Sequence, residues 1–343
     1  MSQDNGTTTL TAKDFATSQD VRWCPGCGDY SILKQVQTIL ANSGSKPEDT
    51  VFISGIGCSS RFPYYIDTYG IHGIHGRATA IASGVKASNP NLNVWVITGD
   101  GDGLSIGGNH LIHLLRRNFD LNILLFNNEI YGLTKGQYSP TSPIGSVSKS
   151  TPYGSVDHPF NPAALSLGAD GTFIARTLDR DVAHMREVLT RANDHKGASM
   201  VEIYQNCLVF NDGAFGKFTD KDLKPENVLF LKDGEPLLFC NETKGVKLDG
   251  FNPVVVDMSV SSPDDLWVHD EKDKIKAAIL SQFFSYSKEA FDKSDIPRPF
   301  GVFFSEQRET YEDRLTIQID ETKGQKGEGD LDALLAGKFW EIG

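Results

Sequence analysis

The sequence has no apolar run approaching the roughly 20 residues that a membrane-spanning helix requires. Its longest, such as Ile123–Phe126 and Pro253–Val256, are strand-length, so no membrane is expected. Positive charge is also scarce: 33 Lys and Arg stand against 45 Asp and Glu, a net charge of −12. No Lys/Arg cluster is long enough to neutralise a row of phosphates, which argues against nucleic acid as a partner. The segment Met1–Asp20 is polar and Thr-rich with no apolar centre, unlike a secretory signal, so the cytoplasm is the expected compartment. Cysteine is sparse and odd in number, five in 343 residues, which speaks against a disulfide framework and for metal or redox chemistry.

The rest is an ordinary folding composition. Hydrophobic residues make up 39% of the chain and charged residues 23%, with 20 Phe and 10 Tyr, so a sizeable core is expected rather than disorder. At about 150 residues per domain, the length allows two lobes or one large domain with a tail. Helices are predicted near Tyr30–Asn42, Arg77–Ala87, Ile106–Asn118, Pro162–Leu167 and Asp181–His195. They alternate with strands at Thr50–Ser54, Asn93–Thr98, Leu121–Phe126, Thr172–Arg176 and Met200–Tyr204. Such alternation implies crossover units, so the fold class is α/β, a doubly wound and mainly parallel sheet covered on both faces. In these sheets ligands sit beyond the carboxyl ends of the strands, which directs the loops beginning at Gly55, Gly99 and Asn127 toward one site. The Gly/Ser/Pro/Thr-rich connection Tyr131–Phe160 is long for a compact domain and reads as a functional lid or docking segment. Three regions are expected: an arm over 1–20, flexible or draped on a partner, the α/β domain over 21–230, and an extension over 231–343. Within the extension Asp264–Lys274 reads as solvated and Ile275–Phe291 as a helix.

Gly99-Asp100-Gly101-Asp102-Gly103 directly follows the strand Asn93–Thr98, and Asn127-Asn128 end the next one. Glycines let backbone N–H groups approach phosphate oxygens, while a carboxylate and an amide oxygen are hard ligands for Mg²⁺, whose octahedral shell phosphates complete. Alone, Gly-Asp-Gly is no more than a Gly-rich turn. With two asparagines at the next strand end it points to a diphosphate held through a metal. This pairing resembles the signature of the thiamine diphosphate enzymes. Carried across position by position, the resemblance makes Asp100 and the Asn128 side chain metal ligands, with the backbone carbonyl of Ile130 as a third. It puts Gly99, Gly101, Asp102, Leu133 and Thr134 at or beside the diphosphate. A dinucleotide fingerprint is absent after the first strand, and Asn122–Asn128 offers amides where a ribose-binding carboxylate would stand.

Cys24-Pro25-Gly26-Cys27 precedes a helix and looks like a thioredoxin site with Pro and Gly exchanged. A dithiol catalyst needs no further cysteines, yet Cys58 lies in the Gly-rich loop after the next strand and Cys207 follows the strand Met200–Tyr204. Four thiolates from strand-end loops suit either tetrahedral zinc or a 4Fe–4S cluster. Beside a thiamine cofactor the cluster fits and zinc does not. A decarboxylated 2-oxo acid must lose two electrons to become an acyl group, which a one-electron carrier permits in two steps. Cys240, after an apolar run, is expected to be a buried core thiol.

The segments Trp23–Leu33, Gly55–Arg77, Gly99–His110 and Asn127–Pro143 closely resemble the β subunits of the 2-oxoacid:ferredoxin oxidoreductases, particularly those acting on 2-oxoglutarate. The likeness spans about Val21–Phe230. It implies thiamine diphosphate with Mg²⁺, and a 4Fe–4S cluster on Cys24, Cys27, Cys58 and Cys207. It further implies reversible oxidative decarboxylation of 2-oxoglutarate with coenzyme A to succinyl-CoA and CO₂, ferredoxin taking the electrons. A separate α subunit then carries the pyrimidine-binding domain in an αβ or (αβ)₂ assembly, so this chain holds half of an active site. The direction of flux, CO₂ fixation as in a reductive tricarboxylic acid cycle or oxidation, is open.

Three residues are candidates for substrate contact. Arg61, three positions after Cys58, offers a planar fork for a carboxylate, against a surface ion pair. His75, before a helix, reaches the thiazolium or substrate, or else holds its turn. Lys135 is a candidate for a second carboxylate. The same chemistry on pyruvate or branched-chain 2-oxo acids is one competing reading, and a non-enzymatic iron–sulfur or zinc scaffold is another.

Overall fold

The structure, a computed structural model, describes residues 10–287, 289–290, 294–338 and 340. Its centre is an eight-stranded sheet of β1 (Thr50–Ser54), β2 (Tyr69–His72), β3 (Asn93–Gly99), β4 (Leu121–Asn127), β5 (Phe173–Leu178), β6 (Ala198–Tyr204), β7 (Val228–Phe230) and β8 (Arg298–Ser305). The spatial order is β2-β1-β3-β4-β6-β5-β8-β7. Every neighbouring pair is parallel except β5 with β8, as the α/β reading requires.

Alternation along the strands divides their side chains between two cores. Phe52, Trp95, Leu124 and Val201 face helix α1 (Asp29–Asn42) and helix α6 (Val182–Asp194). Val51, Val94, Ile123 and Met200 face α2 (Ala78–Ser88) and α4 (Gly108–Arg117). Ile32, Val36 and Ile39 of α1 recur at helical spacing and are buried in the first core. Helix α6 starts where the Asp181 carboxylate accepts from the His184 N–H at 3.2 Å. Because both faces are covered, the strands read as continuous apolar runs. One buried ion pair interrupts them: Arg176 on β5 donates to Glu202, its register partner on β6, at 2.7 Å. Glu202 also accepts from the Asn127 side chain at 2.7 Å, which braces the end of β4.

Several expectations change. The Gly-rich loop after β3 is a helical turn, α3 (Asp100–Leu104), and the helix expected over Ile106–Asn118 begins at Gly108 instead. A Cβ on Gly101 would lie 2.2 Å from the Tyr131 ring, so glycine is what lets this turn pack against it. Strand β2 lies within the stretch expected to be loop, because all four of its residues are exposed and carry no burial pattern. Residues 1–9 of the expected arm lie outside the described residues. The remainder packs on the domain, with Phe15 fully buried and Ala16 bridging Ile66.

Past residue 231 the chain returns to the main sheet through β8, and its apolar residues share a core with α5 (Pro162–Gly168). The stretch expected to be solvated buries Leu266, Trp267, His269 and Glu271. There Trp267 hydrogen-bonds through its backbone to Leu237 and Val246 beside a small antiparallel sheet. The helix expected over Ile275–Phe291 spans Lys274–Ser281. It stops where the Asn161 amide takes the Ser281 carbonyl and Phe283 turns into the core, and residue 291 lies outside the described residues. Cys240, expected to be a buried core thiol, packs against the edge of this core but is only half-buried, at a turn with φ +53°, and its Sγ donates to Glu226. No described helix is long and apolar enough to cross a membrane.

Candidate active site

The loops at the carboxyl ends of β1, β3, β4 and β6 enclose one cavity, as the parallel topology predicts. Asp100 opens α3 at its wall and is buried. Its Oδ2 accepts from the Ser139 hydroxyl at 2.5 Å and the Thr141 hydroxyl at 2.6 Å. Burial pushes the carboxyl above its ordinary range, while these hydroxyls and backbone N–H groups pull it down. None of those stabilising groups is a cation, which suits the carboxylate to a metal ion arriving from the cavity. Asn128 donates through Nδ2 to Gln205 Oε1 at 2.8 Å, and its Oδ1 accepts from the Ile130 N–H at 3.2 Å. Gly99, Gly101, Ile130, Leu133 and Thr134 line the same cavity, together with Tyr131, whose hydroxyl donates to the Gly101 carbonyl at 3.0 Å.

Asp102 also reaches the cavity wall, but its carboxylate is spent on bracing the loops. Oδ1 accepts from the N–H groups of Gly76 at 2.7 Å and Ile56 at 3.0 Å and pairs with His75 Nδ1 at 2.6 Å. Oδ2 accepts from the Thr98 hydroxyl at 2.6 Å. A Cβ on Gly55 would stand 1.9 Å from Asp102 Oδ2, so this close approach requires glycine. His75 lines the cavity with its ring held through Nδ1, and its Nε2 has no hydrogen-bond partner among the described residues. Arg61 lies in an adjoining recess that shares Ile56, Gly57 and Leu133 with the main cavity. Its Nε donates to the Tyr65 hydroxyl at 2.8 Å. Lys135 lies in neither cavity; it is exposed on a turn with φ +78°.

The four cysteines gather on one side of this cavity. Cys24 is exposed and Cys27, Cys58 and Cys207 are half-buried. The position a Cβ would take on Gly132 lies 3.5 Å from Cys207 Sγ and 3.8 Å from Cys58 Sγ. Trp23 Nε1 donates to the Cys58 carbonyl at 2.7 Å, tying the CxxC turn to the loop after β1. Burial first, then the charges of Asp29, Cys58 and Cys207, push the Cys27 thiol well above its usual range. Cys58 is pushed up to about 11 by burial, then by Asp29, Cys207 and Cys24. Cys58 thus stands within electrostatic reach of Cys24, Cys27 and Cys207. Among the described residues no three His, Cys, Asp or Glu side chains stand at the spacing that holds a single metal ion. Asp29 is fully buried beside Cys27, and burial, opposed by its contact with the Cys27 side chain, raises it to about 7.

Sequence reasoning missed Ser139, Thr141, Tyr131, Gln205 and Asp29. Ser139 and Thr141 lie in the long connection singled out as functional, and Gln205 stands two residues before Cys207. The remaining signal was a polar residue beside a ligand, which sequence alone does not distinguish from a solvated one.

Fold and cavity define a thiamine-type enzyme domain. Residues 55–203 match the family of thiamine pyrophosphate enzymes, C-terminal TPP binding domain. The chain is 50% identical over 336 residues to the 2-oxoglutarate oxidoreductase subunit KorB of Mycobacterium tuberculosis, covering 96% of this chain and 88% of that one. It is 37% identical over 294 residues to the 2-oxoacid:ferredoxin oxidoreductase 1 subunit beta of Aeropyrum pernix, covering 85% and 80%. A solved structure of the 2-oxoglutarate:ferredoxin oxidoreductase from Magnetococcus marinus, with 2-oxoglutarate, coenzyme A and succinyl-CoA bound, matches with a TM-score of 0.76. That match has 30% identity and covers 97% of each chain. The chain belongs to the β subunits of the 2-oxoacid:ferredoxin oxidoreductases.

Proposed function

We propose that this chain is the thiamine diphosphate-binding β subunit of a 2-oxoglutarate:ferredoxin oxidoreductase. It forms succinyl-CoA and CO₂ from 2-oxoglutarate and coenzyme A, reversibly, electrons leaving through a 4Fe–4S cluster to ferredoxin. The observation that carries this reading is geometric: Asp100, a buried carboxylate held by two hydroxyls, lines one cavity with Cys58, and Cys58 and Cys207 meet at Gly132 on the wall of that cavity. The 2-oxoglutarate named in the relatives supports the substrate.

The residues present fit both groups. Asp100, the Asn128 amide oxygen and the Ile130 carbonyl are a hard oxygen set suited to Mg²⁺ and a diphosphate. Cys24, Cys27, Cys58 and Cys207 offer four thiolates, the donor set of a 4Fe–4S cluster, and a one-electron carrier is what the proposed oxidation requires. When bound, thiamine diphosphate supplies the decarboxylation chemistry and the cluster takes single electrons.

The chain's own residues bind and orient. Asp102 holds His75 through Nδ1, which leaves Nε2 to hold or pass a proton at the cavity. Arg61, fixed through Nε by Tyr65, keeps its terminal nitrogens for the distal carboxylate of a dicarboxylic 2-oxo acid. Lys135 stands outside both cavities and carries no part of this reading. Residues 21–230 hold the cofactor loops, residues 231–343 complete the sheet, and an α subunit supplies the pyrimidine-binding half in an αβ or (αβ)₂ unit in the cytoplasm.

The test is anaerobic viologen reduction by this chain co-purified with its partner, with coenzyme A, and 2-oxoglutarate and pyruvate supplied in parallel. Faster reduction with 2-oxoglutarate is expected. A preference for pyruvate overturns the substrate assignment, and absence of thiamine dependence together with absence of iron overturns the reaction itself.

A further inference from the structure

We infer that Gln205 is a positioning residue that couples the cysteine cluster to the metal loop, its single amide donating to a thiolate ligand and fixing the orientation of Asn128. The inference rests on the function proposed above. Gln205 follows β6 directly and is 2% exposed. Its backbone N–H donates to the Asn127 carbonyl at 2.9 Å, which locks it to the end of β4. Its Nε2 donates to the Asn206 carbonyl at 2.6 Å and to Cys27 Sγ at 3.3 Å. Its Oε1 accepts from Asn128 Nδ2 at 2.8 Å.

The direction of these bonds is forced. A backbone carbonyl only accepts, so Asn206 determines which end of the Gln205 amide is the nitrogen. The oxygen must then face Asn128. Asn128 must answer with its own nitrogen, and its Oδ1 turns to the Ile130 side, where it accepts from the Ile130 N–H at 3.2 Å. One carbonyl thus sets the polarity of two amides and, through them, the oxygen offered to the metal.

At the other end, an N–H donor on a thiolate stabilises the extra negative charge of a reduced cluster and favours reduction. No other side chain of this length performs both tasks. An ionised glutamate accepts from Asn128 but donates to nothing, so that variant is read at a pH where its carboxyl is charged; methionine does neither, and asparagine is one methylene short.

The test uses the full chain co-purified with its partner, as wild type, Gln205→Glu and Gln205→Met. Three quantities are read without substrate: iron per chain, the cluster's reduction equilibrium by EPR-monitored titration, and Mg²⁺-dependent binding of thiamine diphosphate. Both variants are expected to keep their iron and to shift reduction about tenfold toward the oxidised cluster, about 59 mV for one electron. Thiamine diphosphate affinity should fall about tenfold in Gln205→Met and stay within about twofold in Gln205→Glu, because the carboxylate still accepts from Asn128. A residue that merely packs would move the two readouts together. An unchanged potential in both variants, equal losses of affinity, or loss of iron from both overturns the inference. Wild-type protein without iron overturns instead the reading on which it rests.

Discussion

Asp100→Asn should stabilise the protein without ligand while removing its ability to hold the cofactor. The Asp100 carboxylate is 2% exposed, and both bonded hydroxyls point at the same oxygen, Oδ2. An asparagine that keeps its oxygen there retains both hydrogen bonds and places its NH₂ on the cavity side. Burying an ion carries an effective cost of several kcal/mol, and two charge-assisted hydrogen bonds return about 3 to 6 kcal/mol. The neutral amide keeps the bonds at about half that strength but sheds the desolvation cost, a net gain of about 1 to 2 kcal/mol.

Binding moves the other way. The metal loses the only carboxylate that this reading gives it, and a donor group stands where a cation would sit. Disturbing even a supporting residue of a metal site typically costs about 10- to 100-fold, so thiamine diphosphate affinity should fall by at least about 100-fold. The assay is anaerobic thermal unfolding of the complex with and without Mg²⁺ and thiamine diphosphate. Ligand at 100 times its Kd stabilises wild type by about 2.7 kcal/mol, and that increment should vanish in the variant. A variant stabilised by the ligand as strongly as wild type would refute the metal role of Asp100, and one that melts lower without ligand would refute the desolvation reasoning.

Arg176→Met leaves Glu202 as an unpaired buried charge and should cost about 3 to 5 kcal/mol in anaerobic urea unfolding, most of it recovered in the double variant with Glu202→Leu. A loss below about 1 kcal/mol in the single variant would mean that the pair is solvated. Cys207→Ser should lower iron per chain and abolish the EPR signal of this chain's reduced cluster; unchanged iron and signal would remove Cys207 from the ligand set. His184 and His195 are both held to about 4 in the fold by burial. The unfolded chain protonates them near 6.5, so their contribution is present above that pH and is lost as pH falls toward 4. His195→Gln should remove on the order of 1 to 3 kcal/mol of that acid-side loss, and an unchanged slope of stability against pH would contradict it.

Much of the site was legible because its chemistry is local in sequence. Asp100 and Asn128 end consecutive parallel strands, and the topology that apolar alternation dictates brings such ends together. Three of the cysteines likewise belong to motifs read without any structure. Asp102 shows where this reasoning stops. As a second carboxylate in a Gly-rich loop it reads like a diphosphate neighbour, and it does line the cavity, but its contacts with Ile56, Gly76 and His75 carry no signal in the sequence.

What the sequence alone determined is the alternation of elements, hence the parallel sheet, and the residue types able to hold a metal, a diphosphate and a cluster. Periodicity and motif spacing are properties of neighbours along the chain, and they survive without a fold. Contacts between distant segments belong to the tertiary structure. Phe15 was buried by Ile66 and its surroundings, and β8 entered the sheet from beyond residue 231, because apolar surface is covered by whatever segment reaches it. The direction of the amide chain from Asn206 through Gln205 to Asn128 was likewise decided only in three dimensions, since each group's role depends on the partner the fold puts opposite it.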